Sequence, residues 1–389
     1  MKRSLGVLFL SAVILFCSAV PGLYGQAKQP PVAPGHFERK YIVKPLQDAP
    51  SRLPQIMRDT AGGLTIPLWS YSVISPVDKN PYSGQMVGRS PFFHGLRTTT
   101  IPAYLVPVIL RFADTGTVFD PTVTDPCLGA VVETVVGNSP VFQNSNYVMN
   151  GVNIGNTQYV DAFERANFWS NVAAAGNSYH TLLGLSTLPP VRVTVPIADG
   201  QTAAGFGCGS YGLLDIDWWD NYVQNTLIPS LGGEGVGPTN LPLLLFDSVV
   251  MYQNGNPSDC CVLGYHGAYA PSNLLQTYSV TGFDTSGTFG GDISVTTHEV
   301  AEWMDDPMGT NPTPAWGNIG QVVGCQANLE VGDPLSGTFF PPVILNGFTY
   351  DPQELAFFAW FYRLSPSNGA GGLYSNNGTF TTGAGAVCM

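Results

Sequence analysis

Five ionisable side chains, His298, Glu299, Glu302, Asp305 and Asp306, crowd into nine positions of a chain that is otherwise poor in charge. Asp, Glu, Lys and Arg make up 11% of the 389 residues, against about a quarter in ordinary soluble domains. The stretch, HEVAEWMDDP over residues 298–307, interleaves apolar residues with the charges and reads as a helix. At about 3.6 residues per turn, His298 and Glu302 project from one face, and Asp305 follows a turn later on roughly the same side. Ile293, Val300 and Met304 supply the opposite, apolar stripe. Asp292 is placed to cap this helix, and Asp306 before Pro307 should end it. The fold must therefore seat the apolar stripe on other structure while an imidazole and several carboxylates converge on the other side.

The rest of the chain supplies the partners for such a helix. Residues 241–252, LPLLLFDSVVMY, form the strongest buried-strand signal. Residues 101–112 read as a strand, with Pro107 implying an edge or a bulge. Residues 131–136 and 188–197 are further strand candidates. Residues 158–173 and 218–227 have helical spacing, the second stopping before Pro229. Asp351-Pro352-Gln353-Glu354 looks like a helix start, predicting an aromatic-rich helix over 352–363. The expected fold class is α+β (or α/β): a mixed twisted sheet behind the charged helix, loop-rich and stabilised by disulfides. The 45 Gly and 32 Pro fit many loops, and 44% hydrophobic content excludes a disordered chain.

At the N-terminus, Lys2 and Arg3 precede an apolar run that ends in small residues, which predicts a secretory signal peptide over residues 1–25. Residues 26–60 then read as an extended or pro-segment, 61–364 as the main domain and 365–389 as a Gly/Asn-rich tail. No later run is long and apolar enough for a membrane span. With 15 Lys+Arg against 27 Asp+Glu, the balance argues against nucleic acid and anionic membranes as partners. Outside the leader, which holds Cys17, six cysteines remain: Cys127, Cys208, Cys260, Cys261, Cys325 and Cys388. In an exported chain this predicts three disulfides, Cys388 pinning the tail and the adjacent Cys260 and Cys261 joining different partners.

An imidazole and carboxylates form a divalent-metal donor set, but two ligands need a third. Asp305 and Asp306 are near in sequence. Glu330 and Asp333, in the run NLEVGD over 328–333, lie downstream. His266, in GYHGAY, is suited to ligate or to stabilise an oxyanion. Residues 296–307, TTHEVAEWMDDP, resemble the active-site helix of zincin-type metallopeptidases. With Glu330-x-Gly332-Asp333 they are similar to a group of secreted bacterial proteins carrying H-E-x-x-E, a D-P turn and E-x-G-D. That resemblance implies a zincin-like domain, His298 and Glu302 as ligands, Glu299 as general base, Zn2+ as the ion and a peptide or protein substrate. Where zincins have a second histidine, this chain has Glu302. An anionic ligand lowers the Lewis acidity of the ion and shifts preference towards harder ions such as Mn2+ or Ca2+.

Other constellations are weaker. Phe283-Asp284-Thr285-Ser286-Gly287 approximates an aspartic-peptidase signature, but its glycine comes one place late and no second copy exists; a turn is the simpler reading. Asp215-x-Asp217 with Asp220 lacks the glycine of a calcium loop and reads as a helix start. His36, His94 and His180 read as isolated surface or hydrogen-bonded histidines. The rival functional class is an exported cell-surface or carbohydrate-binding protein, with a structural metal or none on the charged helix.

Overall fold

The long apolar run over residues 241–252 forms two strands, because the backbone breaks at Ser248. Leu241–Asp247 runs parallel to both its neighbours, Arg97–Phe112 and Gln276–Phe283. Ser248 then takes a φ of 49°. Val249–Tyr252 re-enters the sheet beyond the hairpin formed by Cys260–Tyr269 and Gln276–Phe283. In this computed structural model, which describes residues 39–93, 97–176, 178–290, 292–317 and 325–383, these strands belong to a curled, mixed sheet of 11 strands. The architecture is α+β, as expected. The expected leader, Cys17, His36, His94 and Cys388 lie outside the described residues.

Both faces of the sheet are covered, and Leu241–Asp247 shows how. Leu243 and Leu245 join the core that contains the charged helix, whereas Leu244 and Phe246 join a second core around Trp219. Successive side chains of a strand point to opposite faces, so a doubly covered strand reads as a continuous apolar run. Each such Leu or Phe contributes about 1.5–3 kcal/mol on burial. Pro107 is not on an edge strand. One side of Arg97–Phe112 pairs with Tyr179–Thr187 as far as Leu105 and with Val191–Val195 from Val108 onward. Pro107 lies at the gap between these two partners.

Compact structure starts earlier than residue 62. Lys40–Lys44 is a strand paired in parallel with Cys260–Tyr269, with Tyr41 opposite Gly264 and Val43 opposite His266. The helix Ala49–Ala61 follows. Of the apolar residues in this stretch, Tyr41, Leu46 and Ile56 are buried, and Ile42, Val43, Leu53 and Met57 are half-buried. Residues 132–137 form a helix instead of the expected strand. The helix starting at Ile216 continues in helical turns through Ser230, with Pro229 in its last turn. The 158–173 region is helical, as Tyr159–Asn167 and Trp169–Ala174.

The helix expected over 352–363 is reduced to Phe358–Phe361. Distant partners take the backbone donors upstream of it: Gln353 N–H donates to Thr297 Oγ1 at 3.1 Å, Glu354 to Thr338 O at 2.9 Å and Ala356 to Val331 O at 2.9 Å. Cys127 and Cys208 form a disulfide, and Cys260 is bonded to Cys261, contrary to the expectation that the adjacent pair would serve different partners. Bridging between neighbours is possible here because their Cα atoms approach to 3.0 Å. Among the described residues no helix is long and apolar enough to cross a membrane.

Candidate metal centre

The charged helix spans Ser294–Asp305 and packs across the Cys260–Tyr269/Gln276–Phe283 hairpin. Trp303 Nε1 donates to Thr277 Oγ1 at 2.9 Å, and Thr296 and Thr281 hydroxyls pair at 2.8 Å, fixing the helix rotation. Ile293 precedes the helix, and the Asp292 carboxylate accepts N–H groups of Ile293 and Asp351 without capping the first turn. Asp306 ends the helix as expected. All twelve helical residues are buried, so the charged face is no solvated surface. It meets the Lys40–Lys44 strand, His266 and the 328–333 segment.

Both imidazoles are held in one tautomer. His266 Nε2 lies 3.1 Å from the Asp306 carbonyl, which can only accept, so Nε2 carries the proton and Nδ1 a lone pair. That lone pair faces Glu299 Oε2 at 3.6 Å, Glu302 Oε2 at 3.7 Å and Glu330 Oε2 at 3.9 Å. Gln353 Nε2 donates to Gly332 O at 2.7 Å, which leaves its Oε1 to accept from His298 Nδ1 at 3.1 Å. His298 Nε2 therefore points a lone pair at Glu302 Oε1, 2.9 Å away, and at Asp333 Oδ1, 3.6 Å away. Burial holds both imidazoles low, at about 3 for His266 and about 4 for His298, so both are neutral at pH 7.

Lone pairs facing carboxylate oxygens in a dry interior repel one another unless a cation or proton lies between them. His266 Nδ1, His298 Nε2 and both Glu299 oxygens have no hydrogen-bond partner. Burial, reinforced by neighbouring carboxylates, pushes Glu299, Glu302 and Glu330 well above the usual carboxylate range, and burial alone raises Asp333 to about 6 against the opposing pull of His298 and Gln326. Two groups place every donor atom within 4.8 Å of the others: His266, Glu299 and Glu302; and His298, Glu302 and Asp333. The residues fit a divalent ion. They offer nitrogen and oxygen donors without sulfur, both histidines orient their second nitrogen through a hydrogen bond, and the carboxylates are themselves supported. Asn328 Nδ2 donates to Glu330 Oε1 at 3.0 Å, Gln326 Nε2 to Asp333 Oδ2 at 2.8 Å and Gly332 N–H to Glu302 Oε1 at 3.1 Å.

Six of the eight residues singled out in the sequence meet here: His266, His298, Glu299, Glu302, Glu330 and Asp333. Asp305 and Asp306 do not. Asp305 points away to Glu164 and to Asn167, with which it shares a contact at 3.5 Å; burial raises both carboxyls. Asp306 accepts the N–H groups of Thr310 and Asn311, at 2.8 and 2.9 Å, and shapes the turn after the helix. Asp305 keeps nearly the angular direction of His298, but seven residues at about 1.5 Å each place it about 10 Å further along the helix axis, beyond the cluster. The cluster lies in an interior: His266, His298 and Glu299 are 0% exposed, Glu302 1%, Glu330 2% and Asp333 3%.

Two contributors carried no site signal in the sequence: Gln353 sits in what looked like a helix start, and Tyr41 stacks on His298 with ring centroids 3.6 Å apart. Gly332, part of the E-x-G-D run, allows that imidazole its place. A Cβ on Gly332 would lie 2.4 Å from His298 Nδ1. The other constellations are structural. Asp284 accepts N–H groups of Ser286, Phe289 and Gly290 in a turn, and Asp215 caps the helix at Ile216 through Asp217 and Trp218 N–H. Compared with known proteins, the chain matches no family model, no curated protein and no solved structure.

Proposed function

We propose that this chain is an exported metal-dependent hydrolase that cleaves amide bonds in peptides or proteins. The observation that carries the reading is the paired lone pairs of His298 Nε2 and Glu302 Oε1, 2.9 Å apart on one helix face, with Asp333 Oδ1 at 3.6 Å. His298, Glu302 and Asp333 would hold the ion, Zn2+ first, with Mn2+ or Ca2+ as the harder alternatives that the anionic Glu302 favours. A divalent ion there supplies Lewis acidity to a substrate carbonyl and to water. Glu299, one residue along from His298 and with both oxygens unbonded, is placed to take a proton from water at Oε2 and return it to the leaving amine. Its raised affinity for protons suits that transfer. The Glu299→Gln variant, compared with wild type on denatured protein substrates, should lose at least about 100-fold in rate while remaining folded. Undiminished hydrolysis by the variant would remove Glu299 as the base.

A second reading is favoured by the burial of every donor. A closed, saturated centre suits a structural ion in a non-enzymatic exported protein. Stoichiometric metal with no hydrolysis across a broad peptide library would favour it; hydrolysis that disappears on chelation and returns with the ion would exclude it.

A further inference from the structure

The two oxygens of Glu302 face different histidines: Oε1 faces His298 Nε2 at 2.9 Å and Oε2 faces His266 Nδ1 at 3.7 Å. We propose that the centre holds two divalent ions bridged by Glu302, one among His298, Glu302 Oε1 and Asp333, the other among His266, Glu302 Oε2, Glu299 and Glu330. The proposal rests on reading this cluster as a metal centre and goes beyond the single ion that the H-E-x-x-E helix suggests.

Three observations carry it. First, the separations fit ligand shells. Two donors each about 2.1 Å from one ion lie about 3.0–3.5 Å apart at octahedral to tetrahedral angles. The contact at 2.9 Å around His298 lies at the short end of this range, and those at 3.6 Å around His298 and 3.6, 3.7 and 3.9 Å around His266 lie beyond its long end but inside the limit of about 4.2 Å that two such donors can span. Second, a single ion leaves one imidazole unexplained. His266 Nδ1 and His298 Nε2 both lack partners at 0% exposure, and each is aimed at its own set of carboxylate oxygens. Third, the charges balance. Glu299, Glu302, Glu330 and Asp333 place four carboxylates in one interior space, none more than 3% exposed. Two divalent ions neutralise four carboxylates, whereas one leaves two charges buried. The donor set, two histidines and four carboxylates with a carboxylate bridge, suits oxygen-preferring ions such as Mn2+, or Zn2+, about 3.5–4 Å apart.

With two ions, Glu299 completes the shell around the His266 ion, so replacing it changes how many ions are held. The test is metal content of the full chain, stripped by chelation, reloaded with Mn2+ and dialysed, followed by electron paramagnetic resonance. The expected result is two ions per folded chain with an exchange-coupled signal. Glu330→Gln should hold one ion and show the signal of an isolated Mn2+; His266→Gln should behave alike, should either variant fold poorly. One ion per wild-type chain, unchanged by Glu330→Gln, would overturn the pair and leave the single-ion reading standing. No ion on folded wild-type protein would overturn both.

Discussion

The protein contains two buried groupings of histidine and carboxylate, and they differ in what their lone pairs meet. At Asp161 and His180 every visible valence is used. Asp161 Oδ2 accepts from Thr157 Oγ1 at 2.6 Å and from His180 Nδ1 at 2.7 Å, while Oδ1 accepts the Thr181 N–H at 2.6 Å. Arg165 stands beside them, 3.2 Å from His180 Nε2 and bonded to the carbonyls of Tyr179 and Ile154. At His266 and His298 the outward nitrogens are just as firmly bonded, yet the inward ones face carboxylate oxygens and have no hydrogen-bond partner. The first grouping completes itself with a guanidinium and backbone; the second leaves its inward nitrogens unpaired. His180 also keeps 28% of its side chain exposed whereas His266 and His298 keep none, so burial and donor–acceptor bookkeeping together set the two groupings apart.

Three measurements would break or sharpen this contrast. The largest effect should come from the ions themselves. Chelation should destabilise the wild-type protein by about 4 kcal/mol if free ion otherwise exceeds its dissociation constant about a thousandfold. Glu302→Gln should lose that increment entirely, and in chelator should be at least as stable as wild type, because a buried charge has been removed. Denaturant unfolding with and without chelator gives all four values, and equal stability of loaded and stripped wild type would erase the distinction between the two groupings. Next, Asp161→Asn should cost about 3 kcal/mol, since a carboxylate accepting three buried bonds loses acceptors and a charge partner. That loss should be the same with or without chelator; dependence on the ion would mean the two groupings are coupled.

The smallest effect is a slope with pH. In the stripped protein, burial raises Glu299, Glu302 and Glu330 well above their usual range and Asp333 to about 6. The folded state then holds protons that the unfolded chain has released, so stability falls as pH rises through the folded values. The lowered imidazoles act in the opposite sense, but their contribution is complete once pH passes their unfolded value of about 6.5. Unfolding free energy in chelator should therefore decline as pH rises above about 6.5, while the loaded protein, whose carboxylates would already be ionised on metal, should show no such decline. A flat stripped profile would argue that these carboxylates reach solvent.

Much of the centre was legible because ligating chemistry leaves compositional traces. In a chain so poor in charge, the cluster from His298 to Asp306 stood out, and Glu330 and Asp333 shared a short acidic motif. Asp305 and Asp306 were drawn in by proximity along the chain, although the axial advance of the helix and the Pro307 turn place them elsewhere. In the fold, apolar runs located the strands around Leu243 and Leu105, since a doubly covered strand needs no alternation. The break at Ser248 was invisible because it depends on where the hairpin lies. Gln353 was hidden for the same kind of reason: local cap signals favour a helix at Pro352, and only bonds to Thr297, Thr338 and Val331 hold that stretch extended. The strand at Lys40–Lys44 went unread because its apolar run, Tyr41 to Val43, is short and flanked by lysines; pairing with Cys260–Tyr269 gives it its place.

That early strand has a consequence for assembly. Tyr41 lies against His298, whose ring is steered by Gln353, so the pieces that seat that ring come from far-apart parts of the described sequence. A partially synthesised or clipped molecule, lacking either part, loses one of the two contacts that orient it. Correct seating of the His298 ring thus reports that both regions have reached their native places.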